Sequence, residues 1–451
     1  MCSAGIGRGY GLLHEIKDQT GFVKGLTKWN CVVESAAGIE AAVDEAFEAL
    51  AAGRPRPVGI EVPHDYLSAR AEVGLQDVPI KTASQPMFDK QALRAAAELL
   101  NEAKLPVIYV GGGVVPSNAT TALKALAEKI GAPVVMSDNG RGALTDRHPL
   151  AMNSLAGRAV FKHADVVLIV GSRFMDTLTP TPSWPTGAIR FIHINIDTED
   201  MTAPRAPDLA VVADAAGALE ELKECVVRRT ALPRQDAQRV KDWAQGQIEA
   251  VSPQAAYVAE MRRALPEDGI FVNELTQVGY LARIAFPVYE PRTYIGPGYQ
   301  GTLGYGFPVA LGAAVAAGGR RVLSITGDGG FGWNMQELAT ARRYSLPVTL
   351  IVFNDGHYGN VRAIQKREFG AEVAVDLANP DFQLLAKAFG VPATQVASPG
   401  ALGSAIAESL KEDGPVLIEA KVGEMPSPWH LLRLQPMQGV SGPVAPINPL
   451  D

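Results

Sequence analysis

Cysteine is scarce in this chain. Only Cys2, Cys31 and Cys225 occur in 451 residues. They are too few and too far apart for a disulfide framework, and they lack the pairwise spacing of a zinc site. Thiols left unpaired in this way are expected in a reducing cytoplasm. Long apolar runs are also missing. The longest, 307–317, falls well short of the roughly 20 residues that cross a bilayer. The opening residues lack a basic stretch followed by an apolar one, so no export signal is expected there. No block of Lys or Arg appears and the net charge is −7, which argues against a nucleic-acid surface. What is present is 47% apolar residues, enough to bury the cores of two or three domains in a chain of this length. A small-molecule partner is expected, with no nucleic acid and no membrane.

The most informative stretch is 321–359. Residues 321–326 form a short, β-branched apolar run suited to a strand buried on both faces. Gly327-Asp328-Gly329-Gly330 interrupts it, setting an acid among residues that let backbone approach a ligand closely. Asn334 followed by Glu337 reads as a capping box and predicts a helix over 335–344. Residues 348–353 predict a second buried strand, ending in Asn354-Asp355-Gly356-His357. Parallel strands end on one edge of a sheet, where ligands of open α/β sheets bind, so Asp328 and Asp355 are expected to converge. Two carboxylates there suit a divalent cation bridging to phosphate. Magnesium takes about six hard oxygens and combines one or two carboxylates with phosphate and water. Gly329 and Gly330 leave amides free to meet such oxygens. Each motif alone is also an ordinary α/β turn; their order and separation favour a site.

Gly327-Asp328-Gly329, twenty-four intervening residues and then Asn354-Asp355 resemble the signature of thiamine diphosphate-dependent enzymes. Residues 330–340, GFGWNMQELAT, and 301–314, GTLGYGFPVALGAA, are similar to the matching segments of acetolactate synthases and related 2-oxoacid carboligases and decarboxylases. The resemblance implies thiamine diphosphate and Mg2+ as cofactors. Asp328 and Asp355 would hold the metal by side chain and His357 by its backbone carbonyl. Gly327, Gly329, Gly330, Tyr358 and Gly359 would lie against the cofactor. Thr276 and Gln277, in the turn after a predicted strand at 270–272, would donate to its diphosphate. Leu303 stands where the family has a bulky apolar residue that props the cofactor in its bent form; ordinary core packing is the alternative. Glu274 is either an acceptor behind that turn or a solvated loop acid. The family more often has Asn at the position of Asp355, a change that keeps an oxygen ligand and adds charge.

The first segment, 1–69, predicts a helix over 39–51 and a strand over 58–62, too few strands for an independent domain. It is similar to the last part of the family's pyrimidine-binding domain, through 11–28 and 59–65. His14, followed by Glu15, stands where acetolactate synthases show a pair reaching toward substrate; a local loop hydrogen bond is the alternative. In the family, a glutamate on an earlier strand activates the cofactor. No acid can be given that role, since Glu15 and Glu34 come too late in the pattern. The expectation is an N-terminally truncated relative with little or no activity of its own, or an inert or regulatory thiamine diphosphate-binding homologue.

Residues 70–87 read as a linker. A central domain is expected over 88–228, with a helix at 91–101 and strands at 107–110, 133–136, 166–170 and 190–196. Its Gly111-Gly112-Gly113 lacks the spacing of a dinucleotide loop. Gly171-Ser172-Arg173-Phe174 is similar to an element beside FAD in acetolactate synthases, whereas 153–161 differs from the family's adjoining loop. FAD is left open, as is an NAD-dependent dehydrogenase. A third domain over 253–451 would bind diphosphate and Mg2+, with helices at 384–389 and 404–412, a strand at 416–420 and a proline-rich tail. The fold class is α/β, with tandem open parallel-sheet domains of three α/β/α layers in the thiamine diphosphate-binding fold.

The function implied is a thiamine diphosphate- and Mg2+-dependent lyase or carboligase acting on a 2-oxoacid, assembled as a homodimer or homotetramer. His357, Tyr358 and Asn360 could line the substrate pocket. Acetolactate synthases carry Met and, four residues on, Trp beyond this turn, where this chain has Asn360 and Ile364. The acceptor is therefore left open among a decarboxylase, a C–C hydrolase and another carboligase.

Overall fold

Short runs of β-branched and apolar residues alternate with helices along the chain, a pattern that builds parallel sheets covered on both faces. The computed structural model describes residues 16–72, 88–174, 189–201, 206–432 and 447–451. The chain divides into two compact units, Met1–Met87 and Phe88–Asp451. In the first, β1 (Trp29–Val32) and β2 (Val58–Glu61) pair in parallel, joined through the helix Ile39–Ala51. His14 lies outside the described residues.

The second unit holds two six-stranded parallel sheets. One contains β3 (Pro106–Val110), β4 (Val134–Met136), β5 (Ala151–Met152), β6 (Val166–Val170), β7 (Arg190–Asn195) and β8 (Leu209–Val212), in the order β5-β4-β3-β6-β7-β8. The other contains β9 (Ile270–Val272), β10 (Tyr294–Ile295), β11 (Val322–Gly327), β12 (Val348–Asn354), β13 (Ala393–Val396) and β14 (Val416–Lys421), in the order β10-β9-β11-β12-β14-β13. Alternate residues of β11 and β12 feed opposite cores. Leu323, Ile325, Ile351 and Phe353 face one side, and Val322, Val348, Leu350 and Val352 the other. Burial on both faces explains why these strands read as unbroken apolar runs.

Two local expectations need correction. Asn334 and Glu337 form no capping box: the Asn334 side chain caps nothing and instead donates to the Gly304 carbonyl at 2.7 Å. The predicted helix is divided into a 3-10 turn, Met335–Glu337, and an α-helix, Leu338–Arg343. Gly327-Asp328-Gly329-Gly330, expected as a turn, opens directly into the short helix Asp328–Phe331.

Arg141 joins the two sheets of this unit. Its side chain is 4% exposed, pairs with Asp146 at 2.9 Å and donates to the carbonyls of Arg283 and Phe286. Arg283 in turn pairs with Asp138. Removing one member of a buried pair leaves its partners uncompensated. Arg141→Ala should therefore cost about 3 kcal/mol of stability, read as a lower urea midpoint with an unchanged slope.

Candidate functional site

In β11 and β12, Gly327 stands opposite Phe353, so Asp328 and Asp355 leave the sheet at neighbouring strand tips. Asp328 is 3% exposed. Its Oδ1 accepts from the Gly329 amide at 3.0 Å. Its Oδ2 accepts from the Gly356 amide at 2.9 Å and from Asn379 Nδ2 at 2.6 Å. Asp355 Oδ2 accepts from Gln277 Nε2 at 2.6 Å, and its Oδ1 from the His357 amide at 3.1 Å. Burial pushes the Asp328 carboxyl above its usual range. Burial also raises that of Asp355, and the charge on Asp328 raises it further. Both carboxylates line one cavity.

The turn that carries Asp355 is held from outside. The Tyr358 amide donates to Val375 O at 2.9 Å, and the Leu377 amide to Gly356 O at 2.8 Å. The His357 ring is engaged on both nitrogens, by the Asp355 carbonyl at 2.6 Å and Asp376 Oδ1 at 3.0 Å. What His357 can offer a ligand is therefore its backbone.

Glu274 is a buried acceptor, 2% exposed. Its carboxylate accepts from the Gly304 and Gly306 amides at 3.0 and 2.7 Å. Burial raises its carboxyl, and these two bonds with Thr326 oppose the rise. A Cβ on Gly330 would lie 2.0 Å from Glu274 Oε1, and one on Gly306 2.8 Å from Oε2. Both positions must be glycine for the carboxylate to pass between the turns. Thr276 caps the helix Gln277–Ala285, its hydroxyl accepting from the Gly279 amide at 2.9 Å. The Gln277 side chain is engaged, its amide donating to Asp355 at 2.6 Å and its Oε1 accepting from the Met425 amide at 2.7 Å.

These elements surround a cavity of about 200 Å³. Thr276, Gln277, Leu303, Gly327, Asp328, Gly329, Gly330, Asp355, His357, Tyr358 and Gly359 all line it, so every candidate from the sequence except His14 is brought together. Leu303 is 50% exposed in the single chain. Asn379 escaped the sequence reading: it is a lone polar residue in a loop, tied to Asp328 only by the fold. Val422 and Met425 also line the cavity, from a segment whose composition gave no site signal. A larger groove, about 850 Å³, lies around Arg147, Arg262 and Tyr289. Its arginines are already engaged, Arg147 by Glu267 at 2.8 Å and Arg262 by the Pro266 carbonyl.

Among the described residues no group of three or more His, Cys, Asp or Glu side chains could hold a metal ion. A cation at this cavity would rely on two carboxylates, backbone oxygen, and ligand or water oxygens. That donor set fits Mg2+, which seldom uses an all-protein cage. In the central sheet, a Cβ on Gly111 would lie 2.4 Å from Gly171 O, and the Gly113 amide donates to Gly171 O at 2.9 Å. The glycines of these two turns serve their mutual packing.

Residues 276–420 match the C-terminal TPP binding domain of the thiamine pyrophosphate (thiamine diphosphate) enzymes, and residues 93–222 match their central domain. The chain belongs to this family, among its acetolactate synthase-like members. It is 29% identical to the acetolactate synthase isozyme 1 large subunit of Escherichia coli, over 88% of this chain and 72% of that one. It is 32% identical to the Pseudomonas aeruginosa protein named "Probable 2-ketoarginine decarboxylase AruI", over 93% of this chain and 76% of that one. Among solved structures, the thiamine diphosphate-dependent 4-hydroxybenzoylformate decarboxylase of Rhodococcus jostii RHA1 superimposes with a TM-score of 0.75 at 27% identity, covering 89% of this chain and 77% of that one.

The raised Asp355 carboxyl, lifted first by burial and then by the charge of Asp328, has a measurable consequence. A carboxyl held above its ordinary value favours the protonated form on folding, so its ionisation costs stability as pH rises through the raised value. At neutral pH, Asp355→Asn removes that cost and keeps an acceptor for Gln277, giving up only the weaker bond from the His357 amide at 3.1 Å. The cofactor-free variant should melt about 2 °C higher than the parent, and the gain should vanish in acid. Thermal unfolding followed by circular dichroism at several pH values checks this.

Proposed function

We propose that the chain binds thiamine diphosphate with Mg2+ at this cavity and decarboxylates a 2-oxoacid, transferring the remaining fragment to a proton or a second carbonyl compound. The observation that carries this reading is the pair Asp328 and Asp355, two mutually repelling carboxylates at neighbouring strand tips in one cavity. Asp328, Asp355 and the backbone carbonyl of His357 would hold the metal, with diphosphate and water completing its oxygens. When bound, the cofactor supplies the carbanion chemistry that breaks the bond next to the carbonyl.

This chain's own residues bind, orient and exclude water. The Thr276 hydroxyl accepts from Gly279 and keeps its proton to donate to diphosphate. Gln277 orients Asp355, and Glu274 fixes the turns that present Gly330 and Leu303. Leu303 is the apolar prop for the cofactor. Val361, Val422 and Met425 make part of the wall apolar, which favours loss of a carboxylate because charge disperses as carbon dioxide leaves. Relatives named as acetolactate synthases and as a decarboxylase support both outcomes for the fragment. Asn360 and Ile364, where acetolactate synthases carry Met and Trp, favour an acceptor other than theirs.

We also infer a homodimer or homotetramer. The cavity, about 200 Å³, is below the roughly 300 Å³ at which complete small-molecule pockets begin, so further surface must cover the rest of the cofactor. The helix Gly306–Ala316 is apolar around its circumference and leaves Val315 72% exposed, as a helix does when it is destined for burial. A cytoplasmic location is supported by the free thiols of Cys31 and Cys225. No helix among the described residues is long and apolar enough to cross a membrane.

Isothermal titration with thiamine diphosphate should give saturable binding that requires Mg2+ and is lost in chelator. Asp328→Ala should weaken it about 100-fold or more, at or above the cost of losing a residue that merely orients a metal ligand. Absence of binding contradicts the reading. Binding with no turnover of any 2-oxoacid supports instead an inert or regulatory homologue. Light scattering should return two or four times 47.8 kDa; a monomer at micromolar concentration contradicts the assembly.

A further inference from the structure

One side chain of the cavity has an orientation dictated by its partner. Asn360 lines the cavity and stands in the first turn of the helix Gly359–Phe369. Its Oδ1 lies 3.2 Å from Trp429 Nε1. An indole N–H can only donate, so the Asn360 atom that meets it is the carbonyl oxygen. The amide nitrogen, with two N–H donors, has no hydrogen-bond acceptor among the described residues. Trp429 is itself fixed in place. Its ring packs on Tyr280 at 4.8 Å. The adjoining Leu431 and Leu432 are buried in the central-sheet core, and Arg158 donates to the Leu431 carbonyl at 2.7 Å. Around Asn360 the lining includes apolar Val361, Val422 and Met425. A donor of fixed direction among apolar neighbours is how a small-molecule pocket acquires specificity.

We propose that Asn360 is a specificity-determining residue that selects a 2-oxoacid whose side chain carries an oxygen acceptor (hydroxyl, carbonyl or carboxylate) over one with a plain alkyl chain of equal length. Trp429 is the positioning residue that turns the amide nitrogen of Asn360 toward the ligand. An alkyl group against these donors strips their water and returns no bond, whereas an oxygen restores one. This inference rests on the reading that the cavity takes a 2-oxoacid.

The test uses matched acids: 2-oxobutanoate with its 4-hydroxy derivative, and 2-oxopentanoate with its 5-hydroxy derivative and with 2-oxopentanedioate. Calorimetric affinities are measured on the full chain before and after loading with thiamine diphosphate and Mg2+, and steady-state constants alongside. The wild type should bind the oxygen-bearing member of a set about tenfold more tightly than the alkyl member, the factor expected of one net hydrogen bond. The hydroxy and carboxylate arms decide which oxygen it is. Asn360→Leu should abolish the ratio. Asn360→Asp keeps an acceptor for the indole but has no N–H to give, and should abolish the preference for 2-oxopentanedioate, whose carboxylate can only accept, whereas a hydroxyl could still donate to the new carboxylate; this separates recognition from mere support of Trp429. Trp429→Phe keeps a ring against Tyr280 and should raise KM for the oxygen-bearing acid about threefold with kcat little changed.

Equal affinities in the wild type, or a preference for 2-oxopentanedioate that survives in Asn360→Asp, would overturn the inference while leaving cofactor binding intact. Failure of the cofactor titration itself overturns the underlying reading of the site, and failure of every acid to bind the loaded protein overturns both.

Discussion

Two carboxylates kept near each other and largely out of water are the constraint on which this site depends. Parallel pairing of β11 and β12 leaves Asp328 and Asp355 no choice but to emerge side by side. Burial raises the Asp355 carboxyl above its ordinary range and the charge on Asp328 raises it further, so the arrangement opposes folding unless something offsets it. Amides offset part of it: those of Gly329, Gly356, His357, Asn379 and Gln277 all donate to the pair. Hydrogen bonds alone cannot remove the net charge. The pair is left electrostatically incomplete.

Behind this pair stands a scaffold of closely spaced turns. Glu274 threads its carboxylate between the Gly304–Gly306 turn and Gly330, at separations no side chain on Gly330 or Gly306 would permit. Asn334 adds a bond to Gly304. The turn that carries Leu303 and the turn that carries Asp328 are thereby linked through one buried acid. Gln277 extends the linkage to the other side, bonding Asp355 with its amide and the Met425 backbone with its carbonyl. The apolar wall, Leu303 and the carboxylates are consequently positioned by a single connected set of contacts.

Much of this was legible in the sequence because the relevant signals are local. The buried strands read clearly as β-branched runs, since a strand covered on both faces needs apolar side chains throughout. Asp328 and Asp355 were legible because parallel topology converts two motifs in sequence into one edge in space. Short edge strands such as β5 and β10, two residues each, leave almost no periodic signal. The helix Gly306–Ala316 was hidden by being apolar on all sides. The capping box failed because Asn334 has a stronger claim on its side chain, from Gly304, which only the fold brings near. Asn379 and the Trp429–Asn360 bond are likewise products of tertiary structure, joining residues 51 and 69 positions apart.

The central claim is that the strand-tip carboxylates hold a divalent cation together with a diphosphate. Electron paramagnetic resonance with Mn2+ in place of Mg2+ tests it without reference to turnover. The free-ion signal should fall stoichiometrically on adding the protein with thiamine diphosphate, and should persist with Asp328→Ala. A signal unaffected by the wild-type protein and diphosphate together, or quenched equally by the variant, would contradict the account.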